Sequence, residues 1–289
     1  MLRQRVITAV AMLAVLLPAL FAATPWPFAA LTLLLIAAGA WELGRLNGMP
    51  AAVSWGMGLA CTAACALAWW AGLLAQPLPW LWSLGGLIWV LGGVRLLAGG
   101  VPLWSATSPA LRSAIGFLAL WLAWLAVAQA RVQGVNFLLS VLVLVWAADI
   151  GAYFAGKAWG TRFIRRKLAP GISPGKSWEG ALGGAACVLV LGLVWAVIEM
   201  SQDMPVNQRS LYGQLAAHFG LPLMALSLLF LSAMSVVGDL VESLVKRSIG
   251  AKDSSGLLPG HGGVLDRVDA LLPVLPLAMM LLGLSSRAP

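Results

Sequence analysis

The chain is a succession of apolar stretches separated by short breaks that contain polar residues, glycine or proline. A helix needs roughly 20 apolar residues to cross about 30 Å of hydrocarbon. Of the 289 residues, 61% are hydrophobic and 10% are charged, which is too little polar material to cover a water-soluble globule. The sequence therefore predicts an all-α, polytopic integral membrane protein. About nine transmembrane helices are expected, at residues 6–23, 26–44, 52–75, 79–98, 109–129, 135–156, 179–199, 221–245 and 268–284.

The first apolar stretch has a second interpretation, as a cleavable signal peptide. Arg3 and Arg5 precede it, and small residues lie near Ala22 and Ala23. A second apolar stretch begins almost at once, at Trp26, which favours a helical hairpin.

The cysteines and the net charge argue against two classes of function. Cys61, Cys65 and Cys187 all lie within apolar spans, so we expect packing residues and neither a disulfide framework nor a CxxC-type metal site. The net charge of +8 would suit nucleic acid. The positive residues, however, mark one membrane face, and no nucleic-acid partner is predicted.

The orientation of the chain in the membrane is predicted from the positive residues of its loops. If the N-terminus is cytoplasmic, nine crossings leave Arg131, Arg209 and Arg287 outside. The other positive residues then lie on the cytoplasmic side, at Arg45, Arg95 and Arg112, between Lys157 and Lys176, and between Lys246 and Arg267. The opposite orientation would invert this positive-inside pattern.

The acidic residues divide the chain. Nine of the ten lie between Asp149 and Asp269. We therefore predict a scaffold of transmembrane helices at 1–132 and a catalytic transmembrane region at 133–289, with cytoplasmic loops at 157–178 and 246–267. The exception, Glu42, precedes Arg45 by three residues, and we expect an interfacial ion pair between them. Glu199 and Asp203 are expected to be solvated at the outer face.

Two carboxylates fall at the cytoplasmic edge of the hydrocarbon, Asp149 and Asp239. A charge there costs about 2.5 kcal/mol or more unless it is paired or hydrated. Two carboxylates in one polar pocket, such as Asp239 and Asp266, repel unless a cation lies between them. Oxygen ligands suit Mg²⁺, so Asp239 and Asp266 are the predicted metal ligands, and Asp149 and Asp269 are further candidates.

Structural roles remain open for three acidic residues of this region, Glu242, Asp269 and Asp149. Glu242 and Lys246 have the i, i+4 spacing of a helical salt bridge. Asp269 can cap the last helix. Asp149 can pair with Lys157 or hydrogen-bond to Tyr153.

The loops contain residues suited to phosphate. In the first loop, Lys176 and Ser177 follow a glycine turn directly before a helix, a combination that suits an anion. The spacing does not fit a P-loop. The second loop joins basic residues to a glycine-rich turn that contains His261, for which phosphate contact, proton handling and a structural role all remain open. Its basic residues are Lys246, Arg247, Lys252 and Arg267.

These motifs closely resemble the phosphatidate cytidylyltransferase family, also called CDP-diacylglycerol synthases. The similarity covers roughly residues 140–270 and includes Asp149 to Lys157, Ser173 to Glu179 and Gly238 to Ser243. The C-terminal signature of the family matches at Ser243, Lys246-Arg247, Lys252-Asp253, His261-Gly262-Gly263, Asp266-Arg267 and Asp269.

The resemblance implies transfer of a cytidylyl group from CTP to phosphatidate in a bacterial inner membrane, with the active site on the cytoplasmic side. It also implies Mg²⁺ and a second, monovalent cation such as K⁺. The implied partners are CTP, phosphatidate and membrane lipids, and the oligomeric state stays open, a homodimer included. Asp239, Asp266, Lys252 and His261 are the expected catalytic residues. A transporter and a CTP-dependent lipid kinase are the rival interpretations, which product analysis would separate.

Overall fold

The computed structural model describes residues 2–285, with residues 2, 3, 5 and 285 described by their backbone alone. Most of this range is helical. The helices are α1 Leu2–Leu20, α2 Trp26–Leu46, α3 Ala51–Trp70, α4 Pro79–Ala106, α5 Pro109–Gln133, α6 Val135–Trp159, α7 Trp178–Ser201, α8 Leu211–Ser248, α9 Leu265–Val268 and α10 Leu271–Ser285. A short 3-10 turn, Val206–Gln208, precedes α8.

The prediction of an all-α polytopic membrane protein is confirmed. Within residues 2–285, eight helical segments are long and apolar enough to cross a membrane, and Val6–Leu20 forms a shorter apolar helix. Two helices extend beyond the predicted spans, because α4 continues through a kink at Gly100 and α8 begins before a kink at Gly220. At both kinks a glycine with positive φ is followed two residues later by a proline, Pro102 or Pro222, which begins a new helical segment.

The loop between α6 and α7 contains a β-hairpin that the sequence analysis did not predict. Strands β1 (Lys167–Ala169) and β2 (Ser173–Ser177) pair antiparallel, with Lys167 opposite Ser177. Strand β2 holds the Ser-Pro-Gly-Lys-Ser motif and leads directly into α7. The hairpin therefore sets where Lys176 enters the helical bundle.

Small residues bring α6 and α7 together. A Cβ atom added to Gly184 would lie 2.5 Å from the carbonyl oxygen of Ala148, and one added to Gly151 would lie 3.0 Å from the carbonyl oxygen of Gly183. Such close backbone contact is typical of helix pairs in membranes. The last helix, α10, packs against α4, α5 and α8, so the N-terminal and C-terminal halves share one core.

The end of α7 at Ser201 buries a polar network. Glu199 is 2% exposed, and its carboxylate accepts hydrogen bonds from Asn136 Nδ2 at 2.7 Å and from the backbone N–H and hydroxyl of Ser210 at 2.8 Å each. The expectation that Glu199 is solvated is therefore wrong, because local donors replace water around it. Asp203 is exposed, as expected.

Arg131 lies at the same end of the bundle. It is buried, and its guanidinium donates to the backbone carbonyls of Leu20, the last residue of α1, and of Ala22, two residues later. The predicted outer position of Arg287 falls outside the described residues.

Candidate active site

A cavity of about 460 Å³ opens between α6, α7, α8 and the β-hairpin. Its charged lining residues are Asp149 and Lys157 from α6, Lys176 from β2 and Asp239 from α8. At about 1.5 Å per residue, Asp149 lies roughly 15 Å before the end of α6 at Trp159. We call the end of the bundle that carries residues 160–177 and 249–264 the loop-bearing end.

The central contact of the cavity joins Lys176 to Asp239. The Lys176 ammonium lies 2.5 Å from Asp239 Oδ2, and the Ser243 hydroxyl donates to Asp239 Oδ1 at 3.3 Å. Asp149 and Asp269 are near enough to Asp239 to repel it electrostatically. Asp239 therefore feels two other carboxylates and is paired with one lysine, and such mutual repulsion favours a further cation.

A second charged cluster lies one turn further along α8. The Lys246 ammonium bridges two carboxylates, Glu242 Oε2 at 2.5 Å and Asp266 Oδ1 at 2.6 Å. The i, i+4 salt bridge between Glu242 and Lys246 is thus present. All three side chains are largely buried, so the lysine is held between acids contributed by two helices.

Asp266 is fixed from its other side by the second loop. Its Oδ2 atom accepts hydrogen bonds from the Ser254 backbone N–H at 2.8 Å, the Ser254 hydroxyl at 2.9 Å and the Gly263 backbone N–H at 2.8 Å. The 249–264 loop therefore folds around this carboxylate. The structure places Asp239 and Asp266 in neighbouring clusters, each paired with its own lysine.

The surroundings of Glu42 differ from those predicted. Its carboxylate is 0% exposed and accepts hydrogen bonds from the 249–264 loop and the start of α9. Arg45 instead lies over the Trp41 ring, 4.9 Å from its centroid. The interfacial ion pair expected between Glu42 and Arg45 is therefore wrong, because neutral donors within the protein surround the carboxylate.

The glycines that follow His261 permit this fold of the loop. Gly262 has a φ of +80°, and a Cβ atom there would lie 2.6 Å from Asp266 Oδ2. A Cβ atom on Gly263 would overlap both Ser254 Oγ and Glu42 Oε1. The glycine-rich turn was expected to suit phosphate, and in the structure its glycines let the backbone approach two carboxylates of the protein itself.

The remaining candidates of the second loop lie around these clusters. Arg247 donates to the carbonyl oxygens of Ile172 at 3.4 Å and Ala251 at 3.2 Å. Lys252 and Arg267 are exposed, and Arg267 interacts electrostatically with Asp149.

His261 lies at the tip of the glycine-rich turn. Its backbone N–H donates to Leu258 at 2.8 Å, and its buried Nδ1 atom has no hydrogen-bond partner within residues 2–285. The structure leaves its three proposed roles open.

Two predicted site residues also act at helix starts. The Ser177 hydroxyl accepts a hydrogen bond from the Gly180 N–H at 3.1 Å and caps α7. Asp269 Oδ1 accepts from the Ala270 N–H at 2.8 Å, directly before α10. Lys157 lies 5.9 Å from the centroid of the Tyr153 ring, and Asp149 faces the cavity.

Sequence reasoning missed a third structural glutamate, Glu179. Glu179 Oε1 accepts hydrogen bonds from the backbone N–H groups of Phe163 at 2.9 Å and Ile164 at 2.8 Å. It therefore holds the start of the first loop against α7. An acid in the first turn of a helix is a weak signal, because helix-dipole stabilisation alone accounts for it.

The candidate metal ligands are carboxylates from α6, α8, α9 and the turn before α10. Within the part of the chain that the structure describes, no three His, Cys, Asp or Glu side chains form a ready-made metal cluster. Carboxylate oxygens are donors that suit Mg²⁺, which usually takes one or two of them and completes its shell with water and substrate phosphates.

Comparison with known proteins identifies the family of the chain. The model of the Cytidylyltransferase family matches residues 3–285. A phosphatidate cytidylyltransferase of Pseudomonas aeruginosa is 38% identical over 98% of this chain and 97% of its own length. Those of Haemophilus influenzae and Bacillus subtilis are 49% and 41% identical over shorter alignments. These shorter matches cover 50% and 53% of this chain but only 44% and 49% of the relatives. Because the family model spans the scaffold helices as well as the charged clusters, the chain belongs to the Cytidylyltransferase family.

Proposed function

We propose that this protein transfers the cytidylyl group of CTP to phosphatidate, giving CDP-diacylglycerol and pyrophosphate. The observation that carries the proposal is the cavity in which Asp149, Lys176 and Asp239 meet within a membrane-spanning bundle. A lipid with a phosphate headgroup can bring that headgroup to such a cavity while its acyl chains stay in the bilayer. The named relatives act as phosphatidate cytidylyltransferases, which supports the choice of substrates.

The proposed reaction needs no strong general base. The second pKa of a phosphomonoester is about 6, so the phosphatidate oxygen is already anionic near neutral pH. That oxygen attacks the α-phosphorus of CTP, a new P–O bond forms, and the bond to the β-phosphate oxygen breaks. Pyrophosphate leaves with the electron pair. The main requirement is to bring two polyanions together and to stabilise the leaving group.

The basic side chains have distinct roles in this proposal. Lys176 binds a substrate phosphate from within the cavity, where it now pairs with Asp239. Lys252 and Arg267 are exposed, and in this proposal they receive the pyrophosphate end of CTP. Lys246 and Arg247 support the phosphate subsite from α8 and hold the loops in place.

The carboxylates are suited to a divalent cation. Asp239 and Asp266 would hold Mg²⁺, with Asp149 and Asp269 as further ligands, and hard oxygen donors of this kind match its preference. When bound, the ion would neutralise phosphate charge and orient the α-phosphate. The monovalent cation implied by the family resemblance stays a prediction, as does a homodimer.

Location follows from the same features. The helices make this a membrane protein, and its relatives are bacterial, which supports a bacterial membrane. We infer that the loop-bearing end faces the cytoplasm, where CTP is available. The excess of Lys and Arg in the 157–178 and 246–267 loops supports this orientation.

Two labels on CTP test the reaction. Purified protein in detergent with phosphatidate and Mg²⁺ should move α-³²P from CTP into lipid and should release γ-³²P as pyrophosphate in equal amount. Diacylglycerol, which lacks the phosphate nucleophile, serves as the matched control and should accept neither label. Lipid labelled from γ-³²P would identify a kinase, and absence of both transfers would refute the proposal.

A further inference from the structure

We propose that Glu42 is a positioning residue that holds the 249–264 loop, and through it Asp266, in the geometry needed for catalysis. The inference concerns the site of the proposed function and rests on it. Glu42 lies near the end of α2, in the scaffold half, more than 200 positions before the loop it contacts.

The hydrogen bonds to the Glu42 carboxylate all come from one segment, residues 254–265. Oε1 accepts from the Ser255 hydroxyl at 2.6 Å and the Val264 N–H at 2.9 Å, while Oε2 accepts from the Ser254 hydroxyl at 3.1 Å and the Leu265 N–H at 2.8 Å. All four donors are neutral. Burying a carboxylate is costly unless its hydrogen bonds are satisfied, and here the four neutral donors satisfy them. Glu42 is therefore not a member of a surface ion pair.

Ser254 couples Glu42 to the candidate metal ligand. Its hydroxyl lies 3.1 Å from Glu42 Oε2 and 2.9 Å from Asp266 Oδ2. One hydroxyl has one proton to donate, so the two carboxylates share a single donor. A displacement of Glu42 therefore changes the hydrogen bonding of Asp266 directly.

The backbone strengthens this coupling. Val264 and Leu265 donate to Glu42, Gly263 donates to Asp266, and these are consecutive residues. Asp266 follows Leu265 at the start of α9. Glu42 and Asp266 thus both accept hydrogen bonds from the turn at residues 263–265. Glu42 thereby positions this turn relative to α2.

The Glu42→Gln variant tests this role. The substituted side chain presents an amide nitrogen to backbone N–H groups that need an acceptor, so at least one of the four hydrogen bonds is lost. We expect kcat to fall by about 10- to 100-fold, the usual range for residues that support a metal ligand. The KM for phosphatidate should change little, because Glu42 does not line the cavity.

Hydrogen exchange gives a readout that does not depend on activity. In Glu42→Gln, the amides of Val264 and Leu265 should exchange faster, while those of α7 keep wild-type protection. The Ser255→Ala variant removes one donor to Glu42 and should show the same local change with a smaller loss of kcat, which keeps the test available if Glu42→Gln folds poorly.

Glu199→Gln is the matched control, since Glu199 is also a buried carboxylate bound by a serine and a backbone N–H, but at the opposite end of α7. It should lower stability without changing kcat or exchange in residues 254–266. Equal losses of kcat in Glu42→Gln and Glu199→Gln would overturn the positioning role. Wild-type exchange and kcat in both Glu42→Gln and Ser255→Ala would overturn it as well. Inactive wild-type protein would refute the proposed function and leave the exchange result intact.

Discussion

Glu199 and Glu42 are both buried glutamates at helix ends, and the surroundings of the two differ. At the Ser201 end of α7, Asn136 and Ser210 satisfy Glu199, and Tyr212 and Ser140 complete a network without lysine or arginine. At the loop-bearing end, the network around Glu42 continues through Ser254 to Asp266 and its lysine. Closed networks of neutral donors stabilise a fold, whereas charged clusters beside a cavity leave charge available for a ligand.

The largest expected effect is the loss of a proposed metal-ligand carboxylate at the loop-bearing end. Asp239→Asn and Asp266→Asn should each lower turnover by more than about 100-fold, because both cation binding and cation position are lost. Expression and detergent-solubilised folding should stay intact. Asp203→Asn, an exposed acid at the other end, is the control and should behave as wild type. Near-normal turnover of either variant at low Mg²⁺ would remove that residue from the site.

A smaller effect is expected from backbone crowding in the same region. Gly263→Ala places a methyl group against Ser254 Oγ and Glu42 Oε1, so the turn must open and Asp266 must move. We expect activity to fall by roughly 10- to 100-fold, as for loss of a supporting residue. In the same loop, a Cβ on Gly256 meets nothing within 4 Å, and Gly256→Ala should retain activity. Equal activities of the two variants would show that the tight turn is unimportant for the reaction.

The difference between the two ends also shows what the sequence can predict. Apolar stretches fix the helices because hydrocarbon thickness sets their length, and the spacing of Glu242 and Lys246 fixes their salt bridge. Glu42 could not be assigned this way, since its partners lie more than 200 residues away and are serines and backbone groups. The available signal was its isolation, as the one acidic residue before Asp149. The helical extension before Gly220 was missed because a Gly-Leu-Pro sequence indicates a loop and a kink equally well.

At the Ser201 end of α7, a substitution should affect stability and leave catalysis unchanged. The Ser140 hydroxyl accepts from the Leu211 N–H at 2.9 Å and donates to the Phe137 carbonyl. Ser140→Ala leaves a buried N–H without its acceptor, which should cost about 1–3 kcal/mol of unfolding free energy. Ser201→Ala removes the same kind of bond to a carbonyl three residues earlier, but at an exposed position, and should cost much less. Denaturant titration followed by tryptophan fluorescence measures both, and a loss of kcat in folded Ser140→Ala would contradict the assignment.

The smallest perturbation tests whether the two ends lie on opposite sides of the membrane. Single cysteines at Arg165, in the first loop, and at Asn207, in the turn before α8, replace exposed side chains, and activity should not change in either variant. The background has Cys61, Cys65 and Cys187 replaced by alanine. In intact cells an impermeant maleimide should label Asn207→Cys, whereas Arg165→Cys should react only after the membrane is permeabilised. The proposed orientation requires this result, because the positive-inside rule predicts that the basic 157–178 loop faces the cytoplasm. Labelling of Arg165→Cys in intact cells would reverse the orientation and would separate the charged cavity from cytoplasmic CTP.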